Sequence, residues 1–328
     1  MLVLYGLSLV ILAFLMDMIL STVSAILLVM LLGYGLSKKL LIDTSFWQSV
    51  SKLSYWILFP ILIVRTLANA TIDATLFLPL LAILMVGLLV VLIYSLLVSR
   101  WLGLDGQSTS SMVQGGIRHN GFIGLAVLFD IFGLSGQALG ALIIAVLVPP
   151  TNLISVFSMT LLVRKQHTQT AAELIMKELL RNPMLIAVAI GLLINFTGFS
   201  MPTILDQSMD LVSRAALPLL LLSVGASLKV RALKGNWPAL SAALMGKLIV
   251  FPATLLAGAV WLNLPPLVTV CLVVFGALPT AVSAYPFVQQ MGGNAKLMAD
   301  IITLQTLASL VGLTIWTSVA IQVSGFSL

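Results

Sequence analysis

The chain has 328 residues, 60% hydrophobic and 8% charged, at a mean hydropathy of +1.18; this balance excludes a water-soluble domain and marks a polytopic helical membrane protein. A formal net charge of +6 would point to nucleic acid in a soluble chain, but here the basic residues lie between apolar runs, where they set orientation, so no nucleic-acid partner is expected. One cysteine, Cys271, and two histidines, His119 and His167, exclude an internal disulfide framework and leave too little for a metal cluster, so neither metal nor cofactor is expected.

Residues 1–17 form an apolar N-terminal extension without the basic start and small-residue cleavage site of a secretory signal. A single helix from 1 to 36 would be about 54 Å long at 1.5 Å per residue, too long for one crossing, and no turn chemistry surrounds Asp17. An interfacial piece or a start at Met16 or Met18 both fit. From there the hydropathy gives ten spans, about 18–36, 46–68, 75–99, 110–132, 136–162, 183–199, 206–229, 237–261, 266–290 and 296–322. Breaks fall at turn or charge clusters such as Asp105-Gly106, Leu134-Ser135-Gly136, Lys234-Gly235-Asn236, Leu264-Pro265-Pro266 and Gly292-Gly293-Asn294.

Alternate loops differ sharply in charge. One side receives Lys38, Lys39, Lys52, Arg100, Arg164, Lys165, Lys177, Arg181, Lys229, Arg231, Lys234 and Lys296, and the other only Arg65. The first side is therefore read as cytoplasmic, and an even number of spans places both termini outside. The longest loop, 164–182, is a cytoplasmic linker dividing the spans into five and five. An odd number per half makes the halves, 18–163 and 183–323, an inverted repeat.

Two spans are interrupted at matching places. In the fourth, Arg118-His119-Asn120-Gly121 interrupts the apolar run; in the ninth, Ala277-Leu278-Pro279-Thr280 does, followed by Pro286. An offset of 160 carries Asn120 to Thr280 and Gly133 to Gly293. Arg118 to Gly121 lie about 12–16 Å from one surface, and Pro279 and Thr280 about 20 Å from the other, so the breaks meet near the midplane. Each following half-helix presents its N-terminus there, which favours an anion. Lys247 and Arg214 are read as further cations at mid-depth, while the acids Asp130 and Asp300 fall nearer span ends. The candidate site is Arg118, His119, Asn120, Gly121, Lys247, Pro279, Thr280 and Ser283, with Asn120, Gly121, Pro279 and Pro286 as the breaks and His119 and Asp300 as coupling candidates.

Plainer readings exist for each. Arg118 can pair with Asp130 or a carbonyl, and Lys247 and Arg214 can reach sideways to an interface. His119 can be a packing residue rather than a proton relay, and Asp300 an interfacial carboxylate. Pro60, Pro252 and Pro286 can simply kink helices. Asn69-Ala70-Thr71 and Asn195-Phe196-Thr197 read as chance glycosylation sequons at membrane ends. Gly133-Leu134-Ser135-Gly136 matches an intramembrane serine protease motif but reads as a turn, Gly136 and Gly140 fit close helix packing, and no phosphate-binding loop occurs.

The ordered marks Gly33-Tyr34, Leu58-Phe59-Pro60, Asn120-Gly121-Phe122-Ile123-Gly124, Asn182-Pro183, Leu221 to Gly225, and Ala277-Leu278-Pro279 with Pro286 resemble those of the auxin efflux carrier family, the plant PIN proteins and their bacterial relatives, over about 18–323. The resemblance implies a five-plus-five inverted repeat like that of bile acid–sodium symporters. It implies a scaffold, 18–68 and 183–229, which is also the homodimer face, and a mobile transport domain, 75–162 and 237–322, with elevator-type transport of small carboxylates such as malate or malonate. Family members often carry proline after Gly124-Leu125, where this chain has Ala126, and the long cytoplasmic loop of many plant members is absent, which favours a bacterial-type carrier over one for auxin.

The expectation is an all-α membrane protein of ten helices that is no enzyme but a secondary transporter. It would carry a small organic anion across the inner membrane, outward, with a proton or sodium as possible coupling ion. The rival is a non-transporting sensor or scaffold of the same fold.

Overall fold

In the computed structural model, described over residues 2–70, 73–163, 176, 182–228 and 236–326 (main chain only at 2–19 and 74), the regular elements are helices, and no strand occurs among the described residues. The first, α1 (Leu2–Lys39), runs unbroken for 38 residues. The N-terminal extension thus continues directly into the first span. Then come α2 (Thr44–Leu53), a π turn over Ser54–Leu58, and α3 (Phe59–Ala68) with Pro60 in its first turn. Helix α4 (Phe77–Trp101) is followed by α5 (Gly106–Ile117) and α6 (Gly121–Leu162).

The second half contains α7 (Pro183–Thr197), α8 (Thr203–Arg214) and α9 (Ala216–Ser227). Next, α10 (Trp237–Met245) passes through a π turn, Gly246–Val250, into α11 (Phe251–Trp261). It closes with α12 (Pro266–Gly276), α13 (Ala284–Met291) and α14 (Ala295–Ser324). Among the described residues, seven stretches are long and apolar enough to cross a membrane: Leu20–Lys39, Thr44–Ala68, Phe77–Trp101, Gly106–Leu162, Thr203–Ser227, Trp237–Trp261 and Ala295–Ser324; Pro183–Thr197 and Pro266–Gly276 are shorter apolar helices. The linker expected over 164–182 lies outside the described residues except for Met176 and Asn182, as do the charges at Arg164, Lys165, Lys177, Arg181, Lys229, Arg231 and Lys234.

The longest stretch, Gly106–Leu162, is not a single rod. It is interrupted at 118–120, and Gly133, at φ 59° and ψ −146°, turns α6 back on itself. A Cβ on Gly136 would lie 2.4 Å from the Leu128 carbonyl oxygen, and one on Gly140 2.7 Å from the Leu125 side chain. Gly121 packs on Ile144; in a straight helix these two would be about 35 Å apart. Gly133 is therefore the tip of a helical hairpin, because only glycine readily takes that backbone conformation.

Element bounds recur along the chain. The 25-residue stretches Phe77–Trp101 and Trp237–Trp261 begin and end 160 positions apart, as do the starts of α5 at Gly106 and α12 at Pro266. Thr44–Ala68 and Thr203–Ser227, also 25 residues each, are offset by 159.

Close approaches of backbone hold the helices together. Helix α1 packs on α9 where a Cβ on Gly33 would sit 2.1 Å from the Leu222 oxygen and one on Gly225 1.8 Å from that of Met30. Helix α3 packs on α7, and Asn195 Nδ2 donates to the carbonyls of Leu67, Ala68 and Ala70, capping the end of α3. The sequon asparagine is thus occupied in holding two helices. Elsewhere α4 packs on α5 and α11, and α12 on α6, α11 and α14. Large apolar side chains such as Leu97, Leu193 and Val311 stand exposed on outer faces, and Trp101 and Trp261 stand exposed at helix ends. That is the surface of an integral membrane protein, apolar toward lipid with tryptophans at interfacial positions.

Candidate functional site

Helix α5 ends at Ile117 because Arg118 turns extended (φ −82°, ψ 149°), and Asn120 N-caps α6, its side chain accepting from the Ile123 N–H at 3.4 Å. Opposite, α12 ends at Gly276 and α13 begins at Ala284. The two interruptions touch: the Asn120 N–H donates to the Pro279 carbonyl at 2.8 Å, and the buried Thr280 hydroxyl donates to the Gln114 carbonyl at 3.3 Å.

A broken helix leaves backbone groups without intrahelical partners, and in lipid each must be met from within the protein. Gln305 of α14 bonds backbone groups of three elements. Its Oε1 accepts from the Thr280 N–H at 3.0 Å, and its Nε2 donates to the carbonyls of Gly115 at 3.1 Å and Ala243 at 3.0 Å. One buried side chain thus ties α5, the 277–283 break and α10 together.

Around this crossing lie the cations. Arg118 Nε donates to Gln114 Oε1 at 2.9 Å, and its guanidinium lies 4.3 Å from the Phe287 ring centroid. Gln114 is itself held, its Nε2 donating to the Ser155 carbonyl and Ser158 Oγ. Lys247, fully buried in the π turn, reaches from the second half of the chain to the first: its Nζ lies 3.3 Å from His119 Nδ1 and 4.5 Å from the Phe251 ring centroid. His119 stacks on the same ring.

The π turn has an identifiable cause. Pro252 has no N–H to give the Leu248 carbonyl, and Trp316 Nε1 donates there instead at 2.7 Å. Wide turns of this kind occur frequently at functional sites.

An ammonium has no acceptor, so beside charged Lys247 His119 accepts at Nδ1 and carries its hydrogen on Nε2. Both charges together at 3.3 Å would repel by about 5 kcal/mol at an effective dielectric of about 20. His119 Nε2 and Asn120 Nδ2 are buried and have no hydrogen-bond partner. The described carboxylates lie elsewhere. Asp43 bonds Ser45, Asp73 bonds Thr75, Asp105 caps α5 through Ser108, Asp130 accepts from Thr22, and Asp206 and Asp210 pair with Arg65.

The remaining sequence candidates fall as follows. Gly121 and Pro279 lie at the crossing, while Ser283 is exposed at the start of α13 and makes no capping bond. Pro286 is the third residue of α13, so the break precedes it; a first turn has no intrahelical use for that N–H. Arg214 is corrected: its side chain is 76% exposed and paired with Asp210 at 2.6 Å, part of a charge cluster with Arg65 that joins α3 to α8 rather than a buried cation. Asp130 is exposed on α6 and hydrogen-bonded to α1. Asp300 is buried but away from the crossing, lining a cleft of about 250 Å³ with Leu104, Ser108, Asn236, Asn294, Lys296 and Leu297.

Sequence reasoning missed Gln114, Gln305, Phe251 and Phe287. The two glutamines carried a usable signal, as long polar side chains inside apolar spans, and no charge or helix breaker was needed to notice them.

The model for the membrane transport protein family matches residues 18–317. The chain belongs to this family. It is the auxin efflux carrier family whose motifs the sequence resembles, a family of membrane transporters and not a class of enzymes. The chain is also 27% identical over 205 residues to an uncharacterized transporter of Methanocaldococcus jannaschii, across 60% of this chain and 64% of that protein. It thus spans a little under two thirds of the length of this curated relative.

Proposed function

We propose that this membrane transporter is a secondary carrier that moves a small organic anion, a mono- or dicarboxylate, outward across the cytoplasmic membrane by elevator-type alternating access. One observation carries the reading. Arg118, Lys247 and the unpartnered donors of His119 and Asn120 lie at the crossing, whereas Asp43, Asp73, Asp105, Asp130, Asp206 and Asp210 are bonded elsewhere and Asp300 lines a separate cleft. The buried donors of His119 and Asn120 have no acceptor, and a carboxylate would supply one beside the two cations.

The recurring bounds at offsets of 160 and 159 and the hairpin at Gly133 support ten spans in a five-plus-five inverted repeat. The packing of α1 on α9 and α3 on α7 supports a scaffold of 18–68 and 183–229, which we take as the homodimer face. The remaining spans, 75–162 and 237–322, form the moving part. The excess of basic residues in one set of loops supports taking that side as the inward face, with both termini outside. Outward movement of net negative charge gains about 2.3 kcal/mol per charge per 100 mV from an interior-negative potential.

The test is uptake of radiolabelled malate, malonate and indole-3-acetate into proteoliposomes under an inside-positive potential. Potential-stimulated flux of a dicarboxylate that falls at least tenfold in Arg118→Ala is expected. Flux equal to empty liposomes for all three would leave the rival reading, a sensor or scaffold, in its place.

A further inference from the structure

We infer that His119 and Lys247 form a proton site, and that the carrier moves one proton together with each anion. The inference rests on the anion-site reading above and extends it to the coupled ion.

The geometry imposes the link. At 3.3 Å, Nζ and Nδ1 accommodate one excess proton between them: either an ammonium donating to a neutral imidazole, or an imidazolium donating to a neutral amine. A second proton would place two like charges in contact within a site that Phe251 flanks on both groups. A bound carboxylate at the unpartnered Nε2–H of His119 and the Asn120 amide removes that obstacle, because its negative charge offsets the second positive one. Anion loading and proton loading therefore favour each other, and by reciprocity so do their releases.

The surroundings leave this pair as the group that answers the anion. Arg118, next in the chain, stays charged and is directed to Gln114 and Phe287. Tyr94 of α4 donates its hydroxyl to the Ala242 carbonyl, and Tyr285 of α13 lies in a separate packing cluster. On α14 the titratable groups are Lys296 and Asp300, in the cleft away from the crossing, and on α6 Asp130 bonds Thr22. In the cycle, the proton is taken from water on the loading side by the empty pair and returned to water on the releasing side, leaving the pair with its original single proton. A dicarboxylate dianion then crosses with a net charge of −1, which the potential still drives, and a monocarboxylate crosses without net charge.

The experiment uses the full-length carrier in vesicles containing a trapped pH-sensitive dye at pH 7, with the potential clamped at zero by valinomycin and equal potassium, and an inward malonate gradient. The expected result is lumen acidification of about one proton per malonate. An uncoupled dianion would instead take up protons inside and make the lumen alkaline. Counted per malonate taken up, His119→Gln, which cannot titrate, should lose the acidification, and Lys247→Gln should change the proton count. Alkalinisation by the wild type, or acidification unchanged in His119→Gln, overturns the proton site while the anion carrier stands. Absence of malonate movement, with malate and indole-3-acetate equally inert, overturns both.

Discussion

At Lys247 a lysine with 0% exposure has its charge met by something other than water, and the chain supplies a ring face and an imidazole nitrogen in place of a carboxylate. An acid there would satisfy the lysine permanently and compete with an incoming anion. Gln305 is the neutral counterpart, with one side chain on backbone groups of α5, α10 and the 277–283 break. Replacing it with leucine strands those groups in an apolar interior. We expect Gln305→Leu to lose about 2–4 kcal/mol of stability, read as a lowered midpoint in detergent thermal unfolding. A midpoint equal to wild type would mean that the crossing is held by other contacts. These residues mark where sequence reading stops. Arg118, His119 and Asn120 announce themselves as breaks in an apolar run, and Lys247 as a mid-span charge. The partner of each was not legible, since Asp130 was as plausible for Arg118 as Gln114, and which of Lys247 and Arg214 was buried depends on how a span is kinked. Arg214 sits beside the interruption at Ala215, and this turns it to the surface and onto Asp210.

At the scale of elements, helix ends were well marked and helix interiors were not. Asp105, Asn120, Asn182, Asn236 and Asn294 each cap a helix with the side chain, and prolines open α7, α10 and α12. Such caps are local chemistry, so these helix starts were readable. The π turn at 246–250 was not, because it depends on which distant side chain answers a freed carbonyl, as Trp316 does for Leu248. Two glycines test this level. Gly133 holds a backbone conformation nearly closed to other residues, and Gly133→Ala should lower stability by about 1–3 kcal/mol through strain alone. Gly225→Leu places a side chain into the Met30 carbonyl and should separate α1 from α9, read as loss of folded protein after extraction. Wild-type yield and midpoint for Gly225→Leu would show that this contact is dispensable.

For the whole molecule, composition alone established a membrane protein, and the match over 18–317 places it in the membrane transport protein family. The spacing of breaks and turns is readable as an offset of about 160 positions, which supports the proposed repeat, and the proposed orientation rests on the loop charges. That orientation is open to direct measurement. With Cys271, the single cysteine, replaced by alanine, Lys39→Cys should react with an impermeant maleimide only after the membrane is permeabilised, and Ser200→Cys should react in intact cells. The reverse pattern would invert the assigned topology. The central claim, that the crossing of the broken helices binds an anion, is tested most directly by calorimetric titration of the purified carrier with malonate, comparing wild type with Asn120→Asp. Aspartate keeps the helix cap and the Asn120 main-chain bond to Pro279 but replaces an unpartnered donor with a negative charge. The account predicts an unchanged unfolding midpoint with malonate affinity at least tenfold weaker; equal affinity in the two proteins would contradict it.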